Sequence, residues 1–96
     1  MPPEYDYDAA DQLSRALKQC IERIDWFLWL RNGRRKALLS TPHSDNWQGA
    51  KRNHYERDFA RQQAALRDLM DEARRLHARV GQATEQARAQ HAQQKN

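Results

Sequence analysis

The residues of this chain that could do chemistry are four histidines, one cysteine, a run of cations and three tryptophans. His43, His54, His77 and His91 would suggest zinc if any two recurred one helical turn apart, and none are spaced at three or four residues. No metal site and no cofactor are expected. Cys20 is the only cysteine, which excludes an internal disulfide framework. It falls on an apolar helical stripe and reads as a small buried hydrophobe rather than a reactive thiol. The chain has no nucleophile–base set, no carboxylate pair and no phosphate-cradling glycine loop. Catalysis is the least supported class, and the chain reads as a non-enzyme that works by binding.

Two stretches could carry that binding. Arg31-Asn32-Gly33-Arg34-Arg35-Lys36 offers cations to an acidic protein, to nucleic acid or to lipid headgroups. No aromatic is interleaved with it for base stacking, so it reads first as cations placed toward the C-terminal end of a helix. Nucleic acid is accordingly not the favoured partner. Just upstream, Ile24-Asp25-Trp26-Phe27-Leu28-Trp29-Leu30 is apolar enough for a membrane interface. Asp25 interrupts it and it is too short to span, so a buried protein interface is the better reading.

The supply of apolar residues limits the elements that position these groups. The chain has 96 residues, 39% hydrophobic and 31% charged, with a mean hydropathy of -1.18. That allows one small domain, spanning residues 1–96, which has difficulty building a core alone. Without disulfides or a metal, a partner is the expected source of the missing burial. A net charge of +4 and a pI near 9.6 permit acidic partners without choosing one. The acidic, proline-containing start MPPEYDYD does not read as a cleavable signal peptide.

The turn formers cluster in Ser40-Thr41-Pro42-His43-Ser44-Asp45-Asn46. They divide good helix-forming sequence into helix one, about 8–40, and helix two, about 47–90, with a turn at about 41–46. In helix two, Tyr55, Phe59, Gln62, Leu66, Leu69, Ala73, Leu76, Val80, Ala83 and Ala87 step alternately by four and three. That is a heptad seam with one polar intruder, Gln62, and with Met70 and His77 on its flank. Leu69 and Leu76 are expected as core positions, and the tail HAQQKN as frayed. In helix one the seam is Ala10, Leu13, Leu17, Cys20, Ile24 and Phe27, flanked by Ile21 and Leu28. Trp26, Leu30 and Ala37 lie roughly opposite, with Trp29 to one side. A two-helix hairpin can cover only one of those faces. The fold class expected is therefore all-α: an antiparallel helical hairpin dimerising into a four-helix bundle. The partner-binding residues expected are Leu13, Leu17, Trp26, Phe27, Trp29, Leu30, Tyr55, Phe59, Leu66, Leu69 and Leu76.

Trp47-Gln48-Gly49 follows the turn and opens helix two. The glycine would allow close backbone approach between hairpin and partner, and the tryptophan would bury a large area while its indole N–H reaches a turn carbonyl or water. With this motif between two amphipathic helices, and with Tyr55 and Leu69 on the seam after it, the chain resembles the small Trp-x-Gly (WXG) proteins of type VII (ESX) secretion systems. These are the early-secreted-antigen-like family. The resemblance covers nearly the whole chain in length and layout, and residues 47–83 in specific positions.

The resemblance implies secretion through a type VII system, or residence in the cytoplasm until escorted to it. It assigns Trp47 and Gly49 to a surface seen by the secretion machinery, such as its ATPase, and allows an effector as cargo. Two departures matter. The family's export signal, Tyr-x-x-x-Asp/Glu, is replaced by Ala87-Arg88-Ala89-Gln90-His91, and Gln62 stands where an aromatic is common. A chain without the signal is expected to travel with a helical WXG-like partner that carries one, which favours a heterodimer over a homodimer. The rival class is a cytoplasmic coiled-coil adaptor or a nucleic-acid-associated basic helical protein.

Overall fold

The computed structural model describes residues 4–40 and 49–94. The chain forms two helices, α1 (Tyr7–Ser40) and α2 (Ala50–Gln94), packed along one another as an antiparallel hairpin. The turn expected at about 41–46, and Trp47, lie outside the described residues.

Local chemistry sets the helix ends. Asp6 caps α1: its Oδ1 accepts from the Ala9 N–H at 2.9 Å, and its carbonyl accepts from the Ala10 N–H at 3.0 Å. At the C-terminal end of α1 the Ser40 hydroxyl donates back to the Ala37 carbonyl at 3.2 Å. Gly49 precedes α2 with φ of 70° and its carbonyl accepts the first helical hydrogen bond, from the Asn53 N–H at 3.1 Å. The expectation that Gly49 lies within the first turn of helix two is corrected. No described residue of the chain lies within 4 Å of where a Cβ would stand, so within the hairpin the glycine serves a left-handed backbone. At the C-terminal end α2 continues to Gln94.

The hairpin seam is narrow. Ile24, Leu28 and Met70 form the buried cluster, with Ile21 and Leu66 packed on it and Ala73 buried further along α2. Tyr5 Oη lies 2.8 Å from Thr84 Oγ1, Arg31 reaches Gln63, and Arg35 meets Glu56. Those contacts set the register along the pair. Leu13 lies at the level of Val80, Cys20 at the level of Ala73 and Phe27 at the level of Leu66.

The seam is offset by one row from the one the heptads predict. On α1 it runs through Ala10, Ser14, Leu17, Ile21, Ile24, Leu28, Arg31 and Arg35. On α2 it runs through Glu56, Phe59, Gln63, Leu66, Met70, Ala73, His77, Val80 and Thr84. Three expectations are corrected. Leu69 and Leu76 are not core positions of the hairpin, being 55% and 45% exposed. Cys20 is exposed, not buried. The glutamine buried in the seam is Gln63, 4% exposed, rather than the exposed Gln62. The physical reason is common to all three. Each helix carries an apolar arc two rows wide, and a hairpin contact covers only one row.

Candidate partner interface

The uncovered rows of the two helices lie on the same side of the hairpin. Leu13 shares a groove with Val80 and Ala83. Phe27 shares another with Tyr55, Phe59 and Gln62. Between them the α1 row continues through Cys20 and the α2 row through Leu69 and Leu76. The result is one continuous apolar face in which Leu13 is 51% and Phe27 40% exposed. The opposite side carries Asp25, Asn32, Arg67, Asp71 and Arg74, with Trp29 exposed among them over the buried Leu28 and Met70.

Overall exposure agrees with an unfilled face. The chain exposes 8097 Å². A compact protein of 11.4 kDa would expose about 5,800 Å². The surplus exceeds the roughly 800 Å² that one partner contributes to a standard interface. No side chain is fully buried among the described residues.

The expected partner-binding residues divide into three groups. Leu13, Phe27, Leu69 and Leu76 stand on the exposed apolar face. Leu17, Tyr55, Phe59 and Leu66 are half-buried along or beside the hairpin seam, and Leu66 packs on the buried cluster. Trp26, Leu30 and Trp29 belong to neither group. Trp26 is exposed half a helical turn from Ile24 and Leu28, on the outer side of α1, and Leu30 is half-buried between it and Phe27. Of the two motif residues, Gly49 is described and Trp47 is not.

The sequence reading missed what happens at the turn end. Arg31 and Arg35 occupy seam positions of α1. Arg31 donates from Nε to Gln63 Oε1 at 2.6 Å and from Nη2 to Gln62 Oε1 at 2.7 Å. Its guanidinium lies between the rings of Phe27 and Phe59, at 5.7 and 5.1 Å. Arg35 forks onto Glu56, Nε to Oε2 at 2.9 Å and Nη2 to Oε1 at 3.0 Å. The seam is thus apolar in its middle and hydrogen-bonded toward the turn.

Around this brace a second basic segment, from α2, joins the first. Arg34, Lys36, Lys51, Arg52 and Arg57 make no ion pair among the described residues, so this end is left with uncompensated positive charge. The one carboxylate lining the groove there, Asp58, is engaged by His54 at 3.2 Å and by Arg61 at 3.8 Å. The signal for this cluster was present in the sequence as two separated basic runs, and only the hairpin register brings them to one end. The opposite end carries Glu4, Asp6 and Asp8, which likewise make no ion pair among the described residues.

Among the described residues no group of histidine, cysteine, aspartate and glutamate is placed to hold a metal ion. No described helix is long and apolar enough to cross a membrane. No protein-family model, curated protein or solved structure matches the chain.

Proposed function

We propose that this protein acts by pairing its hairpin with a second helical hairpin, as a WXG-like protein associated with type VII secretion. In that role it is either an exported substrate or the escort of one. The observation that supports pairing is the apolar face of Leu13, Cys20, Phe27, Leu69 and Leu76, which a hairpin leaves in water and a four-helix bundle buries. The secretion assignment rests on the Trp47-Gln48-Gly49 motif, which precedes α2 in the sequence, and on the length and layout of the chain.

The test separates export from folding. Trp47→Ala is compared with the unaltered chain for secreted against cell-associated protein, and the purified forms are melted with their partner. Loss of export with an unchanged melting midpoint supports a recognition surface at the motif. Normal export of Trp47→Ala with pairing intact removes the role given to the motif, and failure of both the unaltered chain and its partner to be exported overturns the secretion assignment. Gly49→Asn, which tolerates positive φ better than alanine, is the companion variant. A neighbouring reading frame encoding another hairpin with Trp-x-Gly and a terminal Tyr-x-x-x-Asp/Glu would support the escort form.

A second reading has one observation in its favour. The unpaired cations of both helices at the turn end would suit the phosphates of nucleic acid. Binding of duplex DNA at physiological salt that weakens steeply as salt is raised would favour that reading over secretion.

A further inference from the structure

The side of the hairpin turned away from the apolar face holds a second groove, of about 440 Å³. Ligand-sized clefts run from about 300 to 1,000 Å³. Buried Leu28 and Met70 form its floor, and Trp29 borders it along α1. Its rim mixes donors with acceptors: Asn32, Arg67 and Arg74 beside Asp25 and Asp71. Arg74 meets Asp71 at 3.6 Å, while Asp25 and Arg67 make no ion pair among the described residues. Trp29 is 71% exposed, and Trp26, one helical turn before it, is 60% exposed. Neither indole stacks on a ring or takes a cation among the described residues.

We propose that this groove holds a base of single-stranded nucleic acid, stacked on Trp29, with a neighbouring base on Trp26. An indole beside an apolar floor suits a flat aromatic ring. Residues three apart on a helix stand about 5–6 Å apart at Cβ, which puts the two indoles within reach of successive bases. Arg23 and Lys36 flank the pair on the exposed surface of α1. Like Arg67, they make no ion pair among the described residues, so all three are open to phosphates. The basic run Arg31–Lys36 has no aromatic within it, and the helix supplies one: Lys36 stands two turns beyond Trp29 on the same face.

The rim chooses the occupant. An acyl chain would cover those polar side chains without giving them partners, and Asp25 and Asp71 would repel an acidic peptide. A base edge carries donors and acceptors together and can use both. Asp25 accepts from an exocyclic amino group, which cytosine, adenine and guanine have and thymine lacks. Duplex is excluded from this site, because its bases are stacked on one another and their edges are paired. The site thus differs from the phosphate contacts considered for the turn end, where no base is read. It also needs nothing of the pairing proposed above. The groove and the apolar face lie on opposite sides, so a pair formed through that face leaves the groove open.

Fluorescence anisotropy of short labelled oligonucleotides, titrated with the intact chain at physiological salt, tests this. Single strands are expected to bind at least about tenfold tighter than duplex of the same length, and oligodeoxycytidine about threefold or more tighter than oligothymidine. Trp29→Leu keeps an apolar side chain and loses the stacking face. It is expected to weaken single-strand binding about tenfold, with its salt dependence unchanged. Arg67→Gln is expected to lower the salt slope by about one. Both alter exposed positions, and an unchanged thermal melt of each shows an intact hairpin. Duplex bound as tightly as single strand, or Trp29→Leu bound as tightly as the unaltered chain, overturns the site and leaves only phosphate contact at the turn end. Binding of polyglutamate or of anionic vesicles that Trp29→Leu abolishes, without binding of single strands, assigns the surface to an acidic protein or a membrane and overturns it too. Equal binding of the two homopolymers overturns the base-edge contact. None of these results bears on export, so this site and the secretion assignment fail separately.

Discussion

Replacing Leu69 by alanine separates the two kinds of apolar burial in this molecule, and Leu28→Ala is its control. Leu28 is buried in the hairpin seam against Met70, so its truncation is expected to cost about 2–5 kcal/mol per chain at any protein concentration. Leu69 is 55% exposed in the hairpin. Complete burial of a leucine side chain stabilises by about 1.5–3 kcal/mol, so the hairpin by itself captures only about 1 kcal/mol of it. Pairing of the apolar faces would supply the rest, about 1–2 kcal/mol per chain and twice that per dimer. The assay is urea unfolding followed by circular dichroism at two concentrations about a hundredfold apart. Mass action stabilises a dimer by about 2.7 kcal/mol across that range, so the unaltered chain should show a midpoint that rises with concentration. Leu69→Ala should lose most at the concentrated end and shed part of that dependence. Leu28→Ala should lower the midpoint at both. Concentration-independent midpoints, with Leu69→Ala as costly as Leu28→Ala throughout, would refute the reasoning. Leu69 would then be buried within the hairpin.

Four further outcomes follow from local geometry, each read by chemical or thermal unfolding. Gly33→Ala should stabilise by about 0.5–1 kcal/mol, since Gly33 is helical and open space surrounds its missing Cβ. Gly49→Ala should instead destabilise by roughly 1 kcal/mol or more, because its φ of 70° strains any residue with a Cβ. Gln62→Leu should be close to neutral, whereas Gln63→Leu should cost about 1–3 kcal/mol. The exposed amide of Gln62 can be replaced by water, while removal of buried Gln63 strips the Arg31 Nε–H of its acceptor. Asp6→Ala should cost about 1 kcal/mol by releasing the Ala9 N–H at the start of α1. An Asp6→Asn form, which keeps the capping oxygen, should recover most of it.

Much of the architecture was legible because it is local. The mid-chain cluster of turn formers separates two runs of helix formers, and the hairpin is what such a sequence must make. The width of the apolar arcs was legible too: Ile21, Leu28, Met70 and His77 stand beside the heptad seams in the sequence itself. The surplus of apolar face was legible as well, because helix one carries apolar residues on more of its circumference than one hairpin contact covers.

Which row turns inward was decided only by the tertiary structure. Two adjacent rows, one through Leu69 and Leu76 and one through Met70 and His77, differ by about 100° around α2, and the sequence ranks the leucine row higher. Packing reverses that ranking, because the seam must also satisfy Arg31 and Arg35 toward the turn. Gln63 and Glu56, on the less apolar row, accept from the Nε of each, with Gln62 of the leucine row taking a second bond from Arg31. Once that row is inward on α2, the neighbouring rows of both helices point to the same side, and Leu13, Cys20, Phe27, Leu69 and Leu76 become one face. The gathering of two basic runs at the turn end, and of the acidic run at the other, has the same origin. Charges distant in sequence become neighbours only through the antiparallel register, and no local spacing encodes that register.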